Sequence, residues 1–127
     1  MRANLALLAA VLLAPLPALA HHSFAAVFDS NQQLVLEGEV TKVEWANPHI
    51  WVYLDVADDQ GEVVNWQCEG GTPNSLRRLG WSSETLQEGD TIQIEGWRAH
   101  DGTETCNARA LTKDGRRLFA GSSFEEQ

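Results

Sequence analysis

From residue 34 onward the chain alternates apolar and polar positions with a period of two, broken at short intervals by turn chemistry. The cleanest run is His49 to Val56, where Ile50, Val52, Leu54 and Val56 share one face and Trp51, Tyr53 and Asp55 the other. That is the pattern of a half-buried strand. Ahead of it, Leu34 to Trp45 predicts a first strand: Leu36, Gly38 and Val40 alternate inward, then the phase shifts so that Val43 and Trp45 continue the same face. A phase shift beside a glycine predicts a bulge or a sharp coil. These two strands meet at an Asn47-Pro48-His49 turn, and the rest of the chain reads as built to pair with them. Asp58-Asp59-Gln60-Gly61 is hairpin-turn chemistry, and Glu62 to Cys68 predicts strand three with Val64, Trp66 and Cys68 on one face.

A short helix follows, with Thr72 as N-cap, Pro73 at its first position, Leu76 and Leu79 on one side and Gly80 as its stop. Trp81 to Gln87 reads as a further turn capped by Ser82 or Ser83, Thr91 to Trp97 as strand four with Ile92 and Ile94 inward, and Cys106 to Leu111 as strand five. Between those strands lies a polar loop, Ala99 to Thr105. Asp114-Gly115 is a turn and Arg116 to Phe119 a short terminal strand. Three strands, a helix and two strands is the order of an OB-fold, so the expected class is mainly β: a five-stranded Greek-key barrel with one short helix between strands three and four. A small antiparallel sandwich is the competitor, and it has no role for the mid-chain helix.

The first 20 residues have a different character. Arg2 precedes an apolar run from Leu5 to Leu13, and Ala18-Leu19-Ala20 has the small residues of a cleavage site. This predicts a secretory signal peptide over 1–20; the run is too short for a bilayer span and Pro15 and Pro17 interrupt it. Cleavage would leave His21 as the new N-terminus, an arm over 21–33, a domain over 34–121 and a tail over 122–127, exported, with the periplasm of a bacterium as the expected destination. No membrane span would remain. Phe24 and Phe28 suit either one face of a helix or an arm docked on the domain. Removing 20 of 127 residues leaves 107, enough for one compact domain. Arg2 is the leader's only charge, so 8 basic residues remain against 18 acidic, a formal balance of −10. A field of that sign repels phosphate backbones, and nucleic acid is excluded as a natural partner.

Two cysteines, Cys68 and Cys106, sit in a chain addressed to an oxidising compartment, and a disulfide is the default expectation. The alternative, a thiolate metal pair or redox couple, has neither Cys-x-x-Cys nor zinc-ribbon spacing to support it. In an OB-like order strands three and five lie side by side, which lets the two thiols face each other.

Several stretches together resemble a known family: His-His-Ser-Phe-Ala-Ala at 21–26, Val-Glu-Trp-Ala-Asn-Pro-His-Ile-Trp at 43–51, Leu-Arg-Arg-Leu-Gly-Trp at 76–81, Gly-Asp-Thr-Ile-Gln-Ile-Glu-Gly at 89–96 and Gly-Arg-Arg-Leu-Phe-Ala-Gly at 115–121. They are similar to a family of small exported bacterial proteins that carries a domain-of-unknown-function label. The resemblance implies an exported, barrel-like domain and supplies no catalytic residues. The cysteine pair lies outside the pattern that carries it.

Candidate chemistry therefore comes from the residues. In an OB-like barrel the face of strands two and three, flanked by the loops joining one to two and four to five, is the usual binding surface. Those loops hold Asn47 and His49 on one side and His100 and Asp101 on the other. The remaining histidines, His21 and His22, open the processed chain. An N-terminal His chelates through its amine and an imidazole nitrogen, and a second imidazole completes a brace suited to copper(II). His21, with His22, His49 and His100 as further ligands, is thus a candidate site for copper(II) or another divalent metal. Met1 is the chain's single methionine and leaves with the leader, which excludes a thioether site for copper(I). The blander alternative is a solvated His21-His22 tail and a His49 that caps a turn. Five tryptophans are the other unusual feature. Trp66 is expected in the core, Trp45 and Trp81 at the barrel ends, and Trp51 and Trp97 facing outward. Trp51, Tyr53, Asn47 and Trp97 then form a candidate surface for a small ligand or a periplasmic protein partner. No carboxylate or hydroxyl spacing resembles a nucleophile elbow, a zincin helix or a triad, so an enzyme is the least supported class, and catalysis would require a bound metal.

Overall fold

The computed structural model describes residues 24–121. The chain is mainly β: helix α1 (Phe24–Val27), strands β1 (Phe28–Glu44), β2 (Trp51–Ala57) and β3 (Val63–Glu69), helix α2 (Pro73–Arg78), and strands β4 (Thr91–Ala99), β5 (Thr105–Lys113) and β6 (Arg116–Phe119). One six-stranded sheet runs β3-β2-β1-β4-β5-β6, and β5 pairs in addition with β3, so the run of pairings returns to the strand it began from. That last pairing is parallel and the others antiparallel. The expected signal peptide, His21, His22 and the expected tail lie outside the described residues.

β1 organises the sheet because it serves two partners. Its first part pairs with β4, from Phe28↔Ala99 to Glu39↔Thr91, and its last part with β2, from Glu39↔Asp55 to Glu44↔Trp51. The changeover is at Gly38–Thr41. A Cβ on Gly38 would meet the Asp55 carbonyl well inside contact distance, and the β2 register slips between Val40 and Lys42, leaving Thr41 as the extra residue of the bulge the phase shift predicts. The bulge is tied down by Val40 N–H donating to the Asp90 carbonyl and Gly89 N–H to that of Val40, each at 2.8 Å.

β1 begins at Phe28, six positions before the expected Leu34. The polar run Asp29 to Gln33 does hold a turn: the Asp29 carboxylate accepts from the Asn31 N–H at 2.9 Å and from the Gln32 amide at 2.9 Å, and the ladder to β4 is irregular between Phe28 and Gln33. The turn is an insertion in a strand that continues on both sides of it. Both alternatives for the aromatic pair hold in part, since Phe24 starts a short helix and Phe28 a strand, their rings 5.6 Å apart.

The alternation of β2 and β3 is as predicted, with Val52, Leu54 and Cys68 buried and Val56, Val64 and Trp66 partly so. Core side chains that are fully buried include Ile50, Leu54, Leu76, Ile92, Ile94 and Leu111. α2 supplies Leu76 to that core; Thr72 caps the helix, its Oγ1 accepting from the Ser75 N–H at 3.1 Å. Leu79 does not join Leu76, because the helix ends at Arg78 and Leu79, as C-cap, turns outward and is 54% exposed. Asp114 and Gly115 both take positive φ, 52° and 73°, the backbone of a type I′ hairpin turn between β5 and β6.

Cys68 and Cys106 are bonded. They are opposite each other in the β3–β5 ladder, which has three pairs, Gln67↔Thr105, Cys68↔Cys106 and Glu69↔Asn107. The covalent link therefore sits in the middle of the pairing that joins β5 back to β3, the first strand of the run.

Candidate functional site

The register of β1, β2 and β3 builds the outward face. One row reads Glu44, Trp51, Glu69; the next Lys42, Tyr53, Gln67; a third Glu39, Asp55, Asn65. Period-two alternation turns all nine away from the core. The polar members are cross-linked: Asn65 donates its amide to Asp55 Oδ1 at 2.8 Å and Thr41 Oγ1 at 3.1 Å, and Gln67 donates to Thr105 Oγ1 at 3.1 Å. Lys42 bonds Glu44 and stands 5.1 Å over the Tyr53 ring. That bond is the main reason the Glu44 carboxyl is held below, and the Lys42 ammonium above, its ordinary range.

The turn between β1 and β2 borders this face. Its Asn47-Pro48 peptide bond is cis and Asn47 is exposed. His49 Nδ1 lies 3.1 Å from the Gly70 carbonyl and 3.6 Å from Glu69 Oε1. A carbonyl only accepts, so Nδ1 is the donor in this contact. Trp45 closes this end under the Arg77 guanidinium at 5.6 Å, and its buried Nε1 has no hydrogen-bond partner among the described residues.

His100, in the loop joining β4 to β5, is engaged elsewhere. Its Nε2 donates to the Ala25 carbonyl at 3.0 Å, its backbone N–H to that of Val27 at 2.9 Å, and its Nδ1 lies 4.0 Å from Asp29 Oδ2. His100 thus fastens α1 to the sheet. The Asn31 N–H first, then the Gln32 amide, hold the Asp29 carboxyl below its usual range, with His100 a smaller contributor. Phe24 completes the docking, its ring edge-on to Trp97 at 5.2 Å. Trp97, predicted to face outward, is therefore only 8% exposed and forms a second cluster with Phe28 and Ala99. The loop itself is held by Arg98, which donates to the carbonyls of Thr103 and Gly102 at 3.1 and 2.7 Å and stacks on Trp66 at 5.2 Å. Asp101 bonds the Thr103 hydroxyl and N–H, in that order the causes that lower its carboxyl's pKa.

The two histidines expected at one pole thus have separate partners, Gly70 and Glu69 for one, Ala25 and Asp29 for the other. Among the described residues no three His, Cys, Asp or Glu side chains gather as a metal-binding group. Among the described residues each imidazole bonds a backbone carbonyl, Gly70 for His49 and Ala25 for His100. Gln67 and Asn65 are face residues absent from the expected site, and Glu69 was expected only as one carboxylate among several. Their signal was present in the alternation of strand three, which sets them opposite Trp66 and Cys68. The partners of His100 had no such signal, since Ala25 contributes only its carbonyl.

These features define a small disulfide-bonded β domain with an aromatic, carboxylate-bordered outer face and a helix clasped by a histidine. The chain belongs to a family of unknown function (DUF6152), whose model matches residues 9–108. A search of curated proteins found no match. Among the described residues no helix is long and apolar enough to cross a membrane.

Proposed function

We propose that this is an exported, periplasmic binding protein built on an OB-like five-stranded Greek-key barrel, and that its processed N-terminus holds copper(II) or another divalent metal. The barrel assignment is supported by the return of the strand pairings from β5 to β3 and by a helix between the third and fourth strands whose Leu76 is fully buried. The metal reading is carried by the docking of α1 against His100. Cleavage after Ala20 would put two residues between His21 and the docked Phe24. Covalent reach would then limit the His21 amine to about 11 Å from the Phe24 Cα, on the helix that His100 holds. With Nε2 of His100 donating to Ala25, Nδ1 is the ring nitrogen left to face a metal, 4.0 Å from the Asp29 carboxylate. An amine, imidazole nitrogens and a carboxylate oxygen make an N/O donor set suited to copper(II). His49 offers Nε2 as the alternative added ligand.

The test is a copper(II) titration of protein beginning at His21 beside protein with one extra N-terminal residue. Tight one-to-one binding in the first and its collapse in the second is the expected result. His100→Gln should then weaken binding more than His49→Gln. Weak binding that is equal with and without the extra residue ends this reading. The alternative is an interaction module that uses the Trp51-Tyr53 face, and a separate observation bears on it.

A further inference from the structure

Four of the five tryptophans have a defined partner for the indole. Trp45 lies under Arg77, Trp66 under Arg98, Trp81 donates Nε1 to the Phe119 carbonyl at 3.1 Å, and Trp97 receives the edge of Phe24. Trp51 is half-buried on the outer face and takes no aromatic, cationic or hydrogen-bonding side-chain partner among the described residues. Its neighbours across the strands are carboxylates already in use, Glu44 on β1, bonded by Lys42, and Glu69 on β3, 3.6 Å from His49 Nδ1, so an incoming cation would share them with these partners. Four residues along β2, on the same side of the sheet, a second carboxylate pair stands across the strands, Glu39 and Asp55.

A ring with carboxylates on both sides is a setting for a cation, because the ring's negative face and the carboxylates attract the same charge. This chain already uses the pairing three times, with a cation 5.1 to 5.6 Å from the centre of Tyr53, Trp45 or Trp66, and in two of the three that cation is arginine. Arginine suits the Trp51 row better than lysine. Its planar guanidinium stacks on an indole, its fork bonds a carboxylate through two N–H groups, and it is less strongly hydrated than an ammonium. The whole-chain charge of −9 favours encounter with a basic partner.

We propose that Trp51, with Glu44 and Glu69, seats an arginine side chain of an extended basic segment in a protein partner, and that Glu39 and Asp55 take a second arginine four residues along. An extended segment lying along β2 has the same rise per residue as the strand, which brings alternate side chains onto successive rows of the face. The seat needs no metal.

The probe is an acetylated, amidated pentapeptide with arginine at its first and fifth positions and Gly-Ser-Gly between. It is titrated against the whole processed protein while the indole N–H signals are followed by NMR, the Trp51 signal being the one missing in Trp51→Phe. The expected result is a saturable shift of that signal, at least tenfold weaker for the same peptide with neutral citrulline at both positions, and weakened at least tenfold by the pair Glu44→Gln and Glu69→Gln. Those surface substitutions leave the core intact, and unchanged dispersion of the other indole signals verifies it. A Trp51 signal that does not move, or that moves equally with the citrulline peptide, overturns the proposal. Acetylarginine amide binding as tightly as the pentapeptide overturns the assignment to an extended partner and leaves a small-molecule cation seat.

Discussion

Replacing both Cys68 and Cys106 by alanine tests the β3–β5 pairing. The bridge links residues 38 apart in sequence. Cross-linking a loop of this size removes about 13 cal/mol/K from the denatured chain, or about 4 kcal/mol at 25 °C. That is a large share of the ~5–15 kcal/mol that holds a domain of this size folded. The folded state should lose little in return, since the two residues are already opposite each other in the β3–β5 ladder and the small buried side chains leave little space when truncated. Urea unfolding followed by tryptophan fluorescence should therefore show a loss of about 4 kcal/mol, equivalent to a fall in melting temperature of about 15–30 °C. The slope of free energy against urea should rise as well, because the uncrosslinked denatured chain exposes more surface. A double variant within about 1 kcal/mol of the parent, with an unchanged slope, would refute the chain-entropy argument and show that the three-pair ladder holds β3 to β5 without its covalent link.

Three further outcomes follow from the same geometry. Phe24→Ala removes the ring that covers Trp97 and should cost about 2 kcal/mol in denaturant titrations, with added acrylamide quenching from the uncovered indole; a cost near zero would mean that α1 is held by the His100 bonds alone. Gly38→Ala drives a Cβ into the Asp55 carbonyl and should destabilise by about 3 kcal/mol, whereas an alanine scan of the open positions of β1 should show little, a contrast that thermal melts can check. Asp90 pairs with Lys113 at 2.8 Å, and that bond first, then the Gln87 N–H, lowers its carboxyl's pKa in the folded state. A depressed folded value means that the contribution, up to about 1 kcal/mol, is present above the unfolded carboxylate pKa near 4 and is lost as pH falls through the lower folded value. Urea midpoints between pH 7 and 2.5 should show this loss in the parent and a correspondingly smaller one in Asp90→Asn.

What the sequence revealed depended on whether the cause was local. The faces of β2 and β3 follow from alternation, the α2 cap from Thr72-Pro73, the bulge from a phase slip beside Gly38, and the disulfide from two cysteines placed in neighbouring strands. The start of β1 was hidden because Asp29 to Gln33 carries true turn chemistry, and only the distant Ala99 and Trp97 reveal that a strand runs through it. Leu79 matched the helical spacing of Leu76, but the helix stops one residue earlier. Trp97 has the outward phase of an open ring, yet a phenylalanine 73 positions earlier covers it. His49 and His100 were legible as loop residues. Their partners, a carbonyl of Gly70 and a carbonyl of Ala25, are contacts that no side-chain pattern encodes.

The two allegiances of β1 also set an order of assembly. Its last part meets β2 through a short turn and has its partner soon after that segment emerges. Its first part pairs with β4, Phe28 opposite Ala99, and cannot close until about 70 more residues have been delivered. For a chain presented N-terminus first, half a strand must wait with its hydrogen-bonding edge unpaired, the situation in which neighbouring chains stick together. The polar Asp-Ser-Asn-Gln-Gln run covers five positions of that waiting segment, and the Asp29 carboxylate bends it out of a flat edge. The irregularity that obscures the strand in the sequence is thus a protection for the interval before β4 arrives.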